Sequence, residues 1–344
     1  MGRSFGARDL GETAVQDLAS EFEADRGHLT AVAYRMLGSR AEAEDAVQEA
    51  WLRYAAALAE PAARAEIRDL RAWLTTTVGR ICLDVLRSAR VRRETYPGPW
   101  LPEPLVSGLP AAPVENASGS TAPADGFAPD PAERVARTDE LGSALLVVLE
   151  RLTPEQRVAF VLHDVFSVPF EQVAAVLSTT APAARQLASR ARKAVADGSP
   201  RHRADLDEQR RVLSAFLAAA EAGDLDRLVA VLAPDVVFTG DGGGHFPATR
   251  RPVEGADKVA RFAMGLFRRA PQEVSAMRGR VVLVDGALGL QTEAVYRDGR
   301  PFRFVMWFAV AEGQVTAIFN QVNPDKLRHL PPIGPADGGW PPRL

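Results

Sequence analysis

The chain of 344 residues carries 41 lysines and arginines against 44 aspartates and glutamates, a formal net charge of -3, with 47% hydrophobic and 25% charged residues. This is an ordinary globular mixture with length for two or three domains, and it excludes a chain that is basic throughout, though not one whose charges are segregated. One cysteine, Cys82, excludes an internal disulfide framework and a cysteine-rich zinc site. No stretch approaches the ~18 apolar residues of a membrane helix. The N-terminus lacks the apolar run of a secretory signal, so a cytoplasmic protein with no membrane partner is expected.

Residues 17–94 carry helical periodicity. Leu29, Val32, Ala33, Met36 and Leu37 form one stripe and Ala43, Val47, Ala50, Trp51 and Tyr54 a second. Leu74, Val78, Ile81 and Val85 form a third, and Gly38-Ser39 punctuates the first two helices. Opposite the second stripe, Asp45, Gln48, Glu49 and Leu52 fall at i, i+3, i+4 and i+7. That spacing fits a solvated acidic face as well as a contact surface. The next helix is basic, with Arg71, Arg80, Arg87, Arg90, Arg92 and Arg93, and Arg80, Asp84 and Arg87 share one face. Such a face suits a phosphate backbone or plain solvent. Trp73 suits a helical core better than a platform for unstacked bases.

Residues 95–135 lose all period and are rich in Pro, Gly, Ala and Ser, the composition of a linker. Its opening, YPGPWLPEPL, is different: Trp100, Leu101 and Leu105 are too apolar for a solvated tether and are expected to dock. Residues 136–197 are helical again. Leu141, Leu145, Val148, Leu149 and Leu152 mark one helix, and Thr153-Pro154-Glu155-Gln156 is the start of another, with a capping Thr, Pro in the first turn and Gln at the capping-box position. A short helix over Phe170–Leu177, the turn Ser178-Thr179-Thr180 and a final helix over Ala181–Val195 predict a helix-turn-helix. On the last helix Ala184, Leu187, Ala188, Ala191 and Val195 face inward. Arg185, Gln186, Ser189, Arg192 and Lys193 are left outside, where Arg and Gln can read base edges.

After a polar break at 198–209 the period changes. Two helices lead into strands at Val236–Thr239, Val281–Val284, Leu288–Tyr296, Phe302–Val310 and Val315–Gln321, a pattern that predicts a curved sheet over helices. Phe302–Val310 alternates, with Arg303, Val305, Trp307 and Ala309 on one side, and is partly apolar on both faces. Gly242, Gly243 and Gly244 permit close backbone approach, and Asn323-Pro324-Asp325 initiates a turn. Asp235, Asp241, His245, Glu293 and Tyr296 are the acid–base candidates a pocket here could use. No metal spacing and no cofactor motif is present.

The strings YRMLGSRAEAEDAVQEAWLRY and RAWLTTTVGRICLDVLRSARVRRE resemble region two of extracytoplasmic-function RNA polymerase sigma factors. LTPEQRVAFVLHDVFSVPFEQVAAVLSTTAPAARQLASRARKAV resembles their region four. The resemblance implies that Asp45, Gln48 and Glu49, with Leu52 on the same face, bind the clamp helices of the polymerase beta-prime subunit. It also implies that Arg80, Asp84, Arg87 and Arg90 act at the minus-10 element, and that region four meets the minus-35 element and the beta flap. Arg185, Gln186, Ser189, Arg192 and Lys193 are the residues assigned to DNA there. Family members usually carry Asn near Arg80-Ile81-Cys82 and a turn Gly where this chain has Ser178.

The C-terminal pattern looks like the SnoaL-like cone fold. WLPEP, DGGG and NPDKL match a subgroup in which that domain regulates in cis. The implied interdomain residues are Trp100, Leu101 and Pro102, then Asp241, Gly242, Gly243 and Gly244, then Asn323, Pro324, Asp325, Lys326 and Leu327. The expected fold is thus multidomain: all-α sigma domains at 17–94 and 136–197, a linker at 95–135, and an α+β SnoaL-like cone at 210–327. The fold also leaves room for a small ligand in the cone. The rival readings are a helix-turn-helix regulator that never meets polymerase, and a cone-fold enzyme or sensor tethered to DNA-binding helices.

Overall fold

The computed structural model describes residues 7–58, 67–93, 96–109, 143–198 and 204–334. Internal contacts divide the chain into two units. The first draws on residues 1–90 and 151–194, the second on 91–128, 140–150 and 195–344.

The first unit is helical. Helix α1 (Ala7–Leu37) and helix α2 (Arg40–Leu58) form a hairpin. Gly38 at φ 68° makes the corner, and its N–H donates to the Tyr34 carbonyl at 2.8 Å. Helix α3 (Leu70–Arg93) completes the group. Leu29, Val32, Met36, Val47, Ala50, Leu74, Val78 and Ile81 are buried as their spacing requires. Phe22 meets Trp51 edge-on at 5.1 Å, and Trp73 packs 6.0 Å from Tyr54, on the core side. Cys82 is buried, and burial raises its thiol pKa well above the ordinary value, so it serves as a small apolar residue.

Residues 151–194 begin with the capping box: Thr153 accepts from the Gln156 N–H, and Gln156 returns a bond to the Thr153 N–H. Its helix (Pro154–Phe160) ends in a π turn over Val161–Val165. A helix over Phe170–Leu177 and one over Ala181–Gly198 follow. Ala184, Ala188 and Ala191 face the core, while Arg185, Gln186, Ser189, Arg192 and Lys193 are exposed.

Inside this unit α3 lies directly on the helix-turn-helix. A Cβ on Gly79 would come within 3.2 Å of Val176, so a hydrogen at that position sets the closeness of the contact. His28 meets Phe166 edge-on at 5.4 Å. Arg157, 2% exposed, brings a guanidinium into the joint, where burial pulls its pKa down to about 9 against the opposing pull of Cys82, Glu42 and Tyr34.

The second unit is built on a seven-stranded sheet. Its strands are β1 (Val106–Ser107), β2 (Leu232–Asp241), β3 (Val253–Glu254), β4 (Val274–Val284), β5 (Ala287–Tyr296), β6 (Pro301–Ala311) and β7 (Gln314–Gln321). Their order is β1-β4-β5-β6-β7-β2-β3, antiparallel except for the parallel β2–β7 pair.

Both faces of the sheet are covered, which explains why β6 is apolar at every position but Arg303. Met306, Phe308 and Val310 join one core with Phe216, Leu228, Phe238, Val259 and Ile318, contributed in part by helices over Leu206–Ala222, Leu225–Ala230 and Ala256–Glu273. Val305 and Trp307 point the other way, into a second core with Leu101, Val106, Val282, Phe319, Leu327 and Leu330.

The structure adds detail to the sequence expectation in two places. The opening of the linker is an element of the sheet: Val106 pairs with Val284, and Asp285 donates to the Leu105 carbonyl at 2.9 Å. The helix over Ser143–Leu149 groups with the second unit, not with the helix-turn-helix, and Val147 packs against the second core. Residues 110–142, most of the expected linker, lie outside the described residues.

The turn of the helix-turn-helix yields a prediction. Ser178 sits in the left-handed region at φ 52°, ψ 46°, which costs an L-residue with a Cβ but not glycine. Ser178→Gly is expected to stabilise the fold by about 1 kcal/mol, read as a higher midpoint in thermal or urea unfolding. An unchanged or lower midpoint would count against strain at that turn.

Candidate functional site

The residues singled out in the sequence fall into three places. On α2, Asp45 and Gln48 are exposed, and Glu49 is half-buried with its carboxylate paired to Arg53 at 2.9 Å. Leu52 beside them is 55% exposed. An exposed leucine rimmed by acidic and polar groups has the form of a small protein-contact patch.

Arg80 and Arg87 of α3 are exposed but already engaged. Arg80 donates to the Ala175 carbonyl at 3.0 Å, and Arg87 pairs with Glu155 at 3.1 Å. Asp84 between them is exposed. The side chain of Arg90 lies outside the described residues. On the final helix of the helix-turn-helix, Arg192 pairs with Asp164 at 3.0 Å, and burial raises the Asp164 pKa while the arginine opposes it. Arg185 lies over the Phe170 ring at 5.3 Å, and 3.6 Å from Glu171. Gln186, Ser189 and Lys193 extend the exposed face.

The third place is a buried node in the second unit. Asp241 ends β2 and is 0% exposed. One carboxylate oxygen accepts from the Tyr96 hydroxyl at 2.6 Å and the Gly243 N–H at 3.0 Å. The other accepts from the Leu101 N–H at 2.9 Å, from Lys326 at 2.7 Å and from Gln321 at 3.4 Å. Lys326 also donates to the Leu101 carbonyl, and its ammonium lies over the Trp100 ring at 3.9 Å. Gln321 donates to the Leu101 and Pro102 carbonyls at 3.4 and 3.3 Å.

Asn323 caps the turn over Pro324–Lys326 by accepting from the Asp325 N–H at 3.0 Å, and donates to the Tyr96 hydroxyl at 3.1 Å. Leu327 is buried with Leu101. Burial, followed by the hydrogen bond and charge of Asp241, holds the Tyr96 phenol above its ordinary pKa, so it stays a donor. Gly243 at φ 59° would place a Cβ 2.3 Å from Asn323, so the loop closes only without a side chain there. Gly242 is buried beside it and Gly244 exposed.

The segments WLPEP, DGGG and NPDKL therefore meet at one carboxylate. The sequence reading did not single out Tyr96, Gln321, Glu103 or His329, the last two paired at 2.9 Å. Tyr96 and Glu103 lie inside the quoted strings YPGPWLPEPL and WLPEP, Gln321 closes the expected Val315–Gln321 strand, and His329 lies two residues past NPDKL.

The acid–base candidates do not assemble. Asp241 is saturated with donors, Glu293 pairs with Arg303 at 2.9 Å, and Asp235 and His245 are exposed. Of the five, only Tyr296 lines the cavity between the helices and the sheet. No cluster of three metal-ligating side chains occurs among the described residues. Nor is any of their helices long and apolar enough to cross a membrane.

Family profiles divide the chain in the same order. Sigma-70 region 2 matches residues 22–92, Sigma-70 region 4 matches 143–195, and a SnoaL-like domain matches 213–318. A helical bundle followed by a helix-turn-helix of these types defines a sigma factor. Relatives along almost the whole length fix the branch. The ECF RNA polymerase sigma factor SigJ of Mycobacterium tuberculosis is 47% identical over 91% of this chain and 94% of its own. The probable ECF RNA polymerase sigma factor SigI of the same species is 36% identical over 91% and 96%. The crystal structure of the M. tuberculosis SigJ superposes with a TM-score of 0.69 at 44% identity, covering 91% of this chain and 99% of that one. The chain belongs to the extracytoplasmic-function RNA polymerase sigma factors.

The node predicts a large asymmetry. Lys326→Met would leave Asp241 buried without its cation, an expected loss of about 3–5 kcal/mol, measured by chemical denaturation. Adding Asp241→Asn to that variant should recover part of the loss. A single-variant loss below about 1 kcal/mol would show that the pair behaves as a solvated one.

Proposed function

We propose that this chain binds core RNA polymerase and directs initiation at its own class of promoters, with the C-terminal domain regulating that activity in cis. In this reading Asp45, Gln48 and Glu49 surround Leu52 as the polymerase-clamp contact. Arg80, Asp84, Arg87 and Arg90 meet the minus-10 element. Arg185, Gln186, Ser189, Arg192 and Lys193 meet the minus-35 element, and the helix-turn-helix also meets the beta flap.

The observation that carries the regulatory part is the Asp241 node. It fixes the segment that leaves α3, through Tyr96 and Leu101, while the helix over Ser143–Leu149 fixes the chain just before the helix-turn-helix. Both ends of the linker are therefore held by the C-terminal domain.

A geometric argument says why restraint matters. Promoter elements named for positions minus 10 and minus 35 are centred about 25 base pairs apart, roughly 85 Å of duplex at 34 Å per turn. Here α3 touches the helix-turn-helix, and Arg80 and Arg87 are hydrogen-bonded to it. This arrangement cannot span both elements, so promoter binding requires the two modules to separate and free those arginines. Stabilising or releasing the linker ends then sets how readily separation occurs.

Two measurements test the reading. The double charge reversal Asp45→Lys, Glu49→Lys should abolish co-purification with core polymerase while leaving the fold intact by circular dichroism; retained co-purification would refute the clamp assignment. In transcription reactions with core polymerase, Asp241→Ala should alter promoter output severalfold relative to the unaltered chain. Identical output at every promoter would refute regulation through the node.

A further inference from the structure

The helix over Ala256–Glu273 has a side that the sigma-factor reading leaves without a partner. Val259, Ala260, Ala263 and Met264 bury its inner side in the core shared with the sheet. At 3.6 residues per turn, Lys258, Arg261, Gly265, Arg268, Arg269 and Gln272 gather on the opposite side. All but Gly265 are exposed. The two carboxylates of the helix, Asp257 and Glu273, stand at its ends. The outward line from Lys258 to Arg269, about 16 Å at 1.5 Å per residue, therefore carries cations and no carboxylate.

Local neutralisation is slight. Arg261 pairs with Asp257 at 2.9 Å, but both side chains are exposed, and such a pair is held weakly. Lys258, Arg268 and Arg269 have no carboxylate partner among the described residues. A solvated helix face ordinarily mixes its charges, as the helix over Leu206–Ala222 does in the same unit. There Asp207, Glu208, Arg210, Arg211 and Glu221 are interspersed, and Arg210 pairs with Asp207 at 3.4 Å. On the helix over Ala256–Glu273 the cations repel one another until an outside anion neutralises them.

The shape of the face selects the anion. A protein partner needs an apolar centre to its contact, and here the centre is Gly265, with open space where a side chain would stand. Leu266, the exposed apolar residue of this helix, lies about a quarter-turn away. With no side chain at its middle, the helix can lie close along a rod, with Lys258 and Arg261 before the gap and Arg268 and Arg269 after it. Arginine forks suit phosphate oxygens, and 16 Å of duplex carries about nine phosphate charges.

We propose that this face is a sequence-independent contact for the phosphate backbone of double-stranded DNA, made by Lys258, Arg261, Arg268 and Arg269. It is additional to the contacts assigned to the two sigma modules and comes from the C-terminal domain. It adds affinity for duplex and reads no bases.

The test titrates the full chain, without polymerase, into fluorescein-labelled duplex and follows anisotropy between about 50 and 200 mM salt. The triple variant Lys258→Gln, Arg268→Gln, Arg269→Gln should flatten the plot of log affinity against log salt by about 0.9 per lost phosphate, roughly 2.7 in all. Two duplexes of unrelated sequence should show the same change. The control Arg210→Gln, Arg211→Gln, Arg227→Gln removes equal charge from other helices of the domain and should keep the slope. Circular dichroism checks that both variants fold; Arg268→Gln alone, with a change of about 0.9, serves should the triple variant not fold. Polyglutamate at equal charge should displace the duplex poorly. The proposal is overturned if the full chain binds neither duplex at the lowest salt, if the folded variant keeps its slope, or if the control flattens it equally. A change confined to one sequence, or ready displacement by polyglutamate, which would mark a surface for acidic proteins, overturns it as well. Co-purification with polymerase decides the sigma reading and the salt slope decides this face, so either can fail without the other.

Discussion

A buried carboxylate is unstable unless donors and a cation surround it, and Asp241 obtains both only by gathering parts of the chain that are far apart in sequence. Tyr96 and Leu101 come from the segment after the first sigma module, Gly243 from the loop after β2, Gln321 from the end of the last strand and Lys326 from the turn beyond it. The requirement makes the fold of the C-terminal domain and the path of the linker a single problem: the domain completes its own electrostatics by capturing the chain that precedes it. Leu101 and Leu327, buried together beneath the node, add the apolar half of the same contact.

Much of this was legible in the sequence, and for physical reasons. Burial on a helix imposes a period, so the stripes of α1, α2 and α3 and the alanines of the final helix were readable, as was the Thr153 capping box. The apolar character of Trp100, Leu101 and Leu105 announced docking. What they dock on was not readable, because the Asp241–Leu101 bond spans 140 residues and leaves no local signature. The strand Val106–Ser107 has two residues, too few for any alternation. The first half of β4, largely exposed, carries no apolar pattern that could have extended the expected Val281–Val284 strand back to Val274. The resemblance to a family supplied the three strings; only geometry showed that they share one carboxylate.

The sigma modules carry a different lesson. Sequence identifies a basic face but not what that face is doing at rest. Arg80 and Arg87 sit on the expected face of α3, and both are spent on the second module through a carbonyl and a carboxylate. A Cβ on Gly79 would lie 3.2 Å from the Val176 side chain, so a larger residue there requires the valine to give way. In the proposed reading the arginines assigned to DNA are also those that join the modules, so contact with DNA and contact between modules would compete for the same guanidinium groups.

The edge strand has a practical consequence for anyone working with the isolated sigma modules. Leu105 and Val106 are buried because β4 lies beside them, and Leu101 because the sheet face and the final turn cover it. A chain severed beyond the helix-turn-helix would keep these residues and lose everything that shelters them, leaving a short apolar ribbon with open backbone groups. Such ribbons pair with one another. Poor solubility and self-association of a shortened protein would therefore report an orphaned linker, and the remedy is to cut or polarise residues 96–109 as well.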